Sequence, residues 1–322
     1  MEITRTKASL AIEARGLTKR FGPHCAVDSL NLTVRSGTIF GFLGPNGAGK
    51  TTTIRMLLGL ISPTSGSGRI LGCDIVHERP AFLSQIGAIV ESPAFYPSLS
   101  GYDNLHALAL VSGHPNANDL TEVLKQVGLN EPARDKVRTY SLGMKQRLAI
   151  AAALLNHPKI IFLDEPTNGL DPAGTVSIRE LIRSLGASGH TIFLSSHLLH
   201  EVEQVCDEVA IVNHGKLISQ GRVADLLKQE AALLIEAEPL AGAQEVALRF
   251  GVPCQVSSPR SATVMLAQEQ TPEFVSALVS AGVKVYKVTP LQGSLEHIFL
   301  ELTDETHTQS SQAMASALAV GR

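Results

Sequence analysis

The stretch GPNGAGKTT, residues 44–52, matches the pattern G-x-x-x-x-G-K-[ST] at every defined position. It follows an apolar run that is predicted to be a strand (GTIFGFLG, 37–44), and it opens a helical pattern with one apolar face. In such a loop glycines let the backbone amides face phosphate groups, and here they are Gly44, Gly47 and Gly49. Lys50 adds a point charge, and Thr51 can offer its hydroxyl to Mg²⁺. The stretch and its flanks therefore predict a phosphate-binding α/β domain rather than a chance glycine-rich turn.

Short apolar runs alternate with helical patterns from Leu10 to about Gln220, which indicates an α/β domain with a largely parallel sheet. Two of these runs, KIIFLDEP (159–166) and HTIFLSSH (190–197), are predicted to be further buried strands. Ligands of open α/β sheets bind just beyond the carboxyl ends of the strands. Polar residues at those ends are therefore candidate site residues.

Three ionisable side chains stand at these strand ends. Asp164 can hold Mg²⁺, and Glu165 can orient and deprotonate the water that attacks a γ-phosphate. His197 can reach the same phosphate as a hydrogen-bond donor. Taken alone, two adjacent acids could form a solvated turn, and a single histidine could be a packing residue. The nucleotide loop on a neighbouring strand favours the functional interpretation of all three.

The stretch TYSLGMKQRLAI (139–150) begins with Ser141 and Gly143 and continues as an apolar helix to Leu155. A serine at a helix start can cap its own helix, or it can join the free amides there in binding an anion. Capping is the commoner role of a lone serine, and the stretch by itself leaves both roles open. The periodicity before it is helical and ends at Gly128, which predicts a helical insertion in the sheet domain.

The composition is that of a globular protein of two domains: 322 residues, 44% hydrophobic and 18% charged, with a net charge of −3. This charge gives no general attraction to nucleic acid. The longest apolar run (148–155) is far too short for a bilayer span, and no apolar signal core follows Met1, so we expect a cytosolic protein. The four cysteines are scattered and are predicted to be reduced, and the histidines of HLLH (197–200) lack the further ligands of a zinc site.

After Gln220 the pattern changes to that of a small α+β module without a catalytic constellation. The predicted order is strand (231–237), helix (241–250), strand (253–258), strand (262–267), helix (271–281), strand (283–288) and a closing helix (294–303).

Taken together, the motifs resemble the ATP-binding subunit of an ABC transporter, from about Ala8 to Leu226. GPNGAGKT resembles the Walker A loop, IIFLDEP the Walker B strand, YSLGMKQR the family signature LSGGQ-x-Q-R, NGLD the D-loop and SSH the switch histidine. The resemblance implies catalysis by Glu165, His197 and Lys50. It implies ATP contacts at Phe21, Gly44, Pro45, Asn46, Gly47, Ala48, Gly49, Lys50, Thr51 and Thr52, where Phe21 would stack on adenine, and Mg²⁺ ligands at Thr51, Asp164 and Glu91.

In this family two nucleotide domains pair head to tail, and the signature helix of one faces the γ-phosphate bound by the other. The resemblance therefore implies that Ser141, Gly143 and Asp171 contact ATP held by a partner chain. One cassette in the sequence implies a homodimer or a related second subunit. Leu142 and Met144 replace the usual glycine and glutamine of the signature, so this contact would rest mainly on Ser141 and backbone amides.

Glu91, in IGAIVESP, stands where most family members carry a glutamine that contacts Mg²⁺ and the attacking water. A carboxylate there adds repulsion toward triphosphate unless Mg²⁺ or a base offsets it, so the metal coupling would differ; the alternative is an ordinary loop acid. Glu91, SPAFYPSLSGYDNL (92–105) and SLEHIFLELT (294–303) resemble the subgroup of bacitracin- and lantibiotic-type peptide export and immunity. The resemblance places Tyr96, Tyr102 and Leu105 in the groove for the membrane subunit, although such a cluster can also be a local mini-core.

We therefore expect a P-loop ABC ATP-binding domain at 9–227 with a helical subdomain at about 95–157, an α+β domain at 228–304 and a mobile tail at 305–322. The expected function is ATP hydrolysis, with ATP and Mg²⁺, at the cytoplasmic face of the membrane. It would power export of an amphiphilic compound, in the first place a peptide antibiotic, through a separate permease. The alternatives are export of a drug, lipid or ion, a soluble ABC ATPase acting on DNA or ribosomes, and an idle regulatory cassette. The sequence has neither the long coiled coil nor the second cassette of the soluble class, and Glu165 argues against an idle one.

Overall fold

The computed structural model describes residues 9–91, 94–112, 117–229, 232–266, 268–291, 294–296 and 298–299. The chain divides into two compact units, residues 1–220 and 221–322, so the division falls before the expected boundary at 227. The expected tail (305–322) and half of the expected closing helix (294–303) lie outside the described residues. Within the described ranges, no helix combines the length and the apolar character that a bilayer crossing requires.

The first unit contains two sheets and seven α-helices among its described residues. Its strands are β1 (Leu10–Phe21), β2 (His24–Arg35), β3 (Ile39–Leu43), β4 (Ser65–Ile70), β5 (Cys73–Asp74), β6 (Ile86–Ile89), β7 (Ile160–Asp164), β8 (Thr191–Ser196), β9 (Glu208–Asn213) and β10 (Lys216–Arg222), the last of which crosses the unit boundary. Its helices are α1 (Lys50–Leu57), α2 (Arg79–Leu83), α3 (Gly101–Ser112), α4 (Ala117–Gln126), α5 (Leu142–Leu154), α6 (Pro172–Ala187) and α7 (Leu199–Glu203).

A six-stranded sheet in the order β10-β9-β3-β8-β7-β6 forms the centre of this unit, and its pairs β9–β3, β3–β8, β8–β7 and β7–β6 are parallel. Every residue of β3, β7 and β8 is buried, which confirms the three strands predicted from their apolar runs. The rings of Phe40, Phe42 and Phe162 pack around Phe193, with centroids 5.3–5.6 Å away. Because β3, β7 and β8 are parallel neighbours, their carboxyl ends meet at one edge of the sheet.

An antiparallel sheet in the order β2-β1-β4-β5 shares its core with the central sheet. Ile12 of β1, Leu32 of β2 and Ile54 of α1 belong to the same buried cluster as the phenylalanines. The turn between β1 and β2 pairs Phe21 with His24.

The helical insertion predicted between the strands is confirmed as α3, α4 and α5. Gly128 follows α4 with φ +71°, a left-handed conformation that suits glycine at a helix end. The predicted face residues of α3 and α4 are buried except Leu108, which is 41% exposed.

The second unit has a four-stranded sheet in the order β12-β13-β11-β14, in which each neighbouring pair is antiparallel. Its elements are α8 (Val223–Gln229), β11 (Ala232–Glu238), α9 (Leu240–Arg249), β12 (Cys254–Ser258), β13 (Ser261–Met265), α10 (Thr271–Ser280) and β14 (Lys284–Leu291). The order from β11 to β14 is that of a split β-α-β motif, and it confirms the predicted succession of strands and helices.

All four cysteines are free thiols, as predicted. Burial, reinforced by the charge of Asp207, raises the pKa of the Cys206 thiol well above its ordinary value. Cys206 is therefore a protonated packing group, in keeping with a structural role.

Candidate nucleotide site

The loop 44–49 connects β3 to α1, and at two of its positions only glycine fits. Gly49 has φ +96°, and a Cβ there would lie 2.4 Å from the carbonyl oxygen of Ala26. At Gly44 a Cβ would lie 2.3 Å from the carbonyl oxygen of Val212. The loop therefore packs closely on neighbouring backbone, which fixes its curve at the edge of the sheet.

Lys50, the first residue of α1, is buried with its ammonium group inside this curve. Its Nζ donates hydrogen bonds to the carbonyl oxygens of Gly44 (2.7 Å) and Pro45 (3.3 Å), and it lies 3.1 Å from Oε1 of Glu165. The positive charge is therefore held where the loop meets the end of β7.

Asp164, the last residue of β7, accepts two hydrogen bonds from neighbouring elements. Thr51 Oγ1 donates to its Oδ2 over 2.9 Å, and Ser195 Oγ donates to its Oδ1 over 2.5 Å. A hydroxyl and a carboxylate this close are oxygen ligands of the kind that Mg²⁺ prefers. The donor set of Thr51 and Asp164 therefore fits a magnesium ion.

Glu165 has a left-handed backbone, with φ +50°, which is a strained conformation for a non-glycine residue. Its N–H donates to both the carbonyl oxygen (3.2 Å) and the Oγ (3.0 Å) of Ser195 on β8. Its Oε2 lies 2.8 Å from Nδ1 of His197, so its carboxylate is held between this ring and the ammonium of Lys50. The structure thus brings together all three residues that were predicted to act in catalysis.

The residues around these groups enclose a cleft of about 400 Å³. Nine of the predicted residues line it: Pro45, Asn46, Gly47, Gly49, Lys50, Thr51, Thr52, Glu165 and His197. Gly44 and Ala48 are buried residues of the same loop, and Gly44 contributes the carbonyl group that Lys50 contacts. Phe21 is 51% exposed at the end of β1, beside the turn that carries the lining residue His24, and Lys19 Nζ lies 5.2 Å from its ring centre.

His24, Ala26 and Asn168 line the cleft but were not predicted to do so. Asn168 begins the recognised NGLD motif, and this position was the available signal for it. His24 and Ala26 follow Phe21 but belong to no recognised motif, so the sequence offered no comparable signal for them.

A second cleft, of about 540 Å³, lies between the starts of α5 and α6. Ser141, Gly143 and Asp171, the three residues predicted to contact ATP held by a partner chain, all line it. Ser141 also caps α5, because its Oγ accepts the N–H of Met144 (3.2 Å), and Asp171 caps α6 through the N–H of Gly174 (3.0 Å). The capping role of Ser141 is therefore confirmed, and its place in the cleft leaves an anion-binding role open.

Arg147 connects the two walls of this second cleft. From α5 it donates to the carbonyl oxygen of Val127, just after α4, and to Oγ of Ser177 on α6.

Tyr140 precedes Ser141 in the chain. Burial and the charge of Asp135 raise the pKa of the Tyr140 phenol, so the phenol stays protonated and donates to the carbonyl oxygen of Pro132.

A family model described as ABC transporter matches residues 27–168. The ABC transporter ATP-binding protein YhcH of Bacillus subtilis (strain 168), itself uncharacterised, is 41% identical over 94% of this chain and 99% of its own length. The chain belongs to the ABC transporter family. The bacitracin transport ATP-binding protein BcrA of Bacillus licheniformis is 42% identical over 91% of this chain and 90% of its own. Among solved structures, cbiO1 from Clostridium perfringens, part of the ABC transporter complex cbiONQ, matches with a TM-score of 0.62 and 25% identity, over 75% of this chain and 96% of that one.

The chain is thus an ATPase of the ABC transporter family with the P-loop cassette fold. The ABC resemblance drawn from its motifs is confirmed, and so is the likeness to the bacitracin subgroup.

In this ABC ATPase, Glu91 is not among the residues that line the nucleotide cleft. It has φ +66°, its side chain is 65% exposed, and it forms an ion pair with Arg55 of α1. It lines a third cleft, of about 410 Å³, together with β6, α5 and Leu108 of α3. The contact that the Glu91 carboxylate makes is with Arg55, and its role as a metal ligand stays a prediction.

The predicted groove for the membrane subunit is only partly supported by the side chains assigned to it. Tyr96 is 66% exposed, whereas Tyr102 packs under the guanidinium of Arg134, 4.3 Å from its ring centre. Leu105 is fully buried, so its assignment to a surface groove is wrong: it belongs to the core of the helical insertion. The exposed residue of α3 on the third cleft is Leu108 instead.

Proposed function

We propose that this ABC ATPase powers the export of a peptide antibiotic, or of a similar amphiphilic compound, through a separate membrane permease. The observation that carries the proposal is the similarity to the bacitracin transport protein BcrA, which extends over about nine tenths of both chains. The similarity therefore includes the small second unit as well as the nucleotide-binding unit.

The residues of the cleft supply the steps of hydrolysis. Lys50 and the amides of the loop 44–49 bind the β- and γ-phosphates, and Thr51 and Asp164 would hold Mg²⁺. Held there, Mg²⁺ would supply positive charge against the charge that develops on the phosphate oxygens. Glu165 orients a water molecule and takes its proton, and His197 contacts the Glu165 carboxylate through Nδ1 and presents Nε2 to the γ-phosphate.

Two copies of the chain would complete each ATP site between them. One cleft contributes the phosphate-binding loop, and the other presents Ser141 and the free amides at the N-terminus of α5, a thirteen-residue helix. In a head-to-tail pair the second cleft of one copy would face the γ-phosphate bound by the other. ATP would then hold the pair together, and hydrolysis would release it.

The permease would dock at the cytoplasmic face of the membrane on the third cleft, where the side chains of Leu108 and Glu91 are exposed. A permease bound there would contact the end of β6 and also α5. The N-terminus of α5 lines the second cleft.

A capture experiment tests the proposed partner. A tagged Glu165→Gln chain is incubated with ATP and detergent-solubilised host membranes, and the bound proteins are identified by mass spectrometry. We expect recovery of a multi-span membrane protein. Recovery of soluble proteins or nucleic acid alone would contradict the transporter function.

The class of exported compound is tested in a strain that lacks the chain. We expect greater sensitivity to bacitracin-type peptides, which the wild-type gene restores and the Glu165→Gln gene does not. If the strain is more sensitive to an amphiphilic drug but not to the peptides, the exported substrate is the drug and not a peptide.

A further inference from the structure

The loops that carry Glu165 and His197 are joined by a second hydrogen bond, away from the nucleotide cleft. Thr167, two residues after Glu165, donates from Oγ1 to Oε2 of Glu201, four residues after His197, over 2.5 Å. We propose that Glu201 is a positioning residue which, through Thr167, holds Glu165 in register with His197. This inference rests on the proposed roles of Glu165 and His197 in hydrolysis.

The bond between Thr167 and Glu201 is partly buried. Thr167 is 8% exposed, and the cavity beside the pair has a volume of about 10 Å³, enough for a single water molecule at most. Apolar side chains line the cavity: Ile182, Leu194, Val202 and Val205. A hydrogen bond to a carboxylate is strong where water competes little for it. The pair can therefore hold the two loops at a fixed separation.

Helix α7, which carries Glu201, depends on such contacts because it has only five residues. A helix of this length is not stable through its own hydrogen bonds. Its C-terminal end is held from α6, where Arg183 Nε donates to the carbonyl oxygen of Gln204 (3.0 Å) and Arg179 donates to the Gln204 side chain. Glu201 adds the contact from the middle of α7 to the loop after β7.

Arg179 also gives the cavity a positive charge. It lines the cavity with Glu201, and its Nε is buried without a hydrogen-bond partner among the described residues. A cation at this position complements the Glu201 carboxylate electrostatically.

The strained backbone of Glu165 explains why such a restraint matters. A non-glycine residue keeps a left-handed φ only where its surroundings hold it. Ser195 holds the N–H of Glu165, and the contact of Thr167 with Glu201 restrains the chain that follows. Glu201 is not among the residues that line the nucleotide cleft, so it acts through Thr167 rather than on ATP.

Substitutions at Thr167 test this role. Thr167→Val removes the hydroxyl at nearly constant shape, and we expect kcat for ATP hydrolysis to fall on the order of tenfold to a hundredfold, as small misplacements of catalytic groups do. The KM for ATP and the affinity for a fluorescent ATP analogue stay unchanged. Thr167→Ser keeps the hydroxyl and retains most of the wild-type kcat.

Thr191→Val is the matched control. Thr191 is also buried, and its Oγ1 accepts the N–H of Gly37 at the opposite end of β8 from His197. We expect this variant to lower the denaturation midpoint without lowering kcat. Glu201→Ala lowers kcat as Thr167→Val does, and the double variant lowers it no further, since the two residues act as one pair.

The possible results separate this proposal from the proposed function. Wild-type kcat in Thr167→Val, an equal loss of kcat in Thr167→Ser, or additive losses in the double variant would each overturn the positioning role while leaving the ATPase function intact. A wild-type chain that binds ATP without hydrolysing it would contradict the proposed function and the positioning role together.

Discussion

Glu165 shows, at the scale of one residue, how a catalytic group is fixed in this site. Its position at the end of β7 is predictable from the apolar run IIFL and the acids that follow. Its restraints are not predictable, because Ser195 lies thirty residues away and becomes a partner only when β7 and β8 pair. The local pattern therefore identifies the carboxylate, while the sheet determines where it points.

Glu165→Gln tests the assignment of the general base. Glutamine keeps the size of the side chain but cannot take a proton, so we expect kcat to fall on the order of a hundredfold or more. ATP affinity, measured with a fluorescent analogue, should change little because the loop 44–49 and Lys50 are intact. A kcat close to that of the wild type would show that another group takes the proton.

His24 provides a second test at this scale. It lines the nucleotide cleft next to the turn that carries Phe21, so His24→Ala should raise the KM for ATP about twofold to tenfold, the effect of one lost hydrogen bond. The kcat should stay near the wild-type value. His77→Ala is the control, because His77 is an exposed residue outside the cleft. Equal KM values in the two variants would show that His24 does not contact ATP.

At the scale of elements, the packing of β6 against α5 connects the third cleft to the second. A Cβ at Gly87 of β6 would lie 2.0 Å from the carbonyl oxygen of Ala153 on α5. Helix α5 begins at Ser141, and β6 leads to Glu91. This close approach therefore fixes the helix that presents its N-terminus to the second cleft.

Gly87→Ala should destabilise the protein by about 1–3 kcal/mol, because the added methyl group forces β6 and α5 apart. Gly221→Ala is the control, since its added methyl group would meet only Leu226 at an ordinary 3.5 Å. Urea denaturation measures both variants. Equal midpoints for Gly87→Ala and the wild type would contradict the packing described for β6 and α5.

Most of the elements could be predicted from the sequence. The predictions that failed have a physical cause. Fully apolar runs ending in polar residues mark buried parallel strands, and the alternation after residue 231 marks the second sheet. The family resemblance assigned Leu105 to a surface groove, but it is buried, as is Ala109 on the same apolar helix face. The partner of Glu91, Arg55, could not be predicted because a loop conformation leaves no periodic pattern.

At the scale of the whole molecule, one chain carries both kinds of cleft that an ATP site of this family requires. Lys50 and Glu165 belong to the first cleft, whereas Ser141 and Asp171 belong to the second. The residue pattern predicts the first cleft, whereas at Ser141 it leaves capping and anion binding both open. Only the family resemblance predicts that the two clefts meet across a pair of chains, so this pairing is the central claim of the proposed function.

Light scattering of the Glu165→Gln chain, with and without Mg²⁺ and ATP, tests the pairing most directly. We predict the mass of a monomer without nucleotide and of a dimer with ATP, since binding persists while hydrolysis is blocked. Adding Ser141→Arg, which fills the second cleft, should keep the chain monomeric although it still binds ATP. A mass that is the same with and without ATP would contradict the pairing of the two clefts across an ATP molecule.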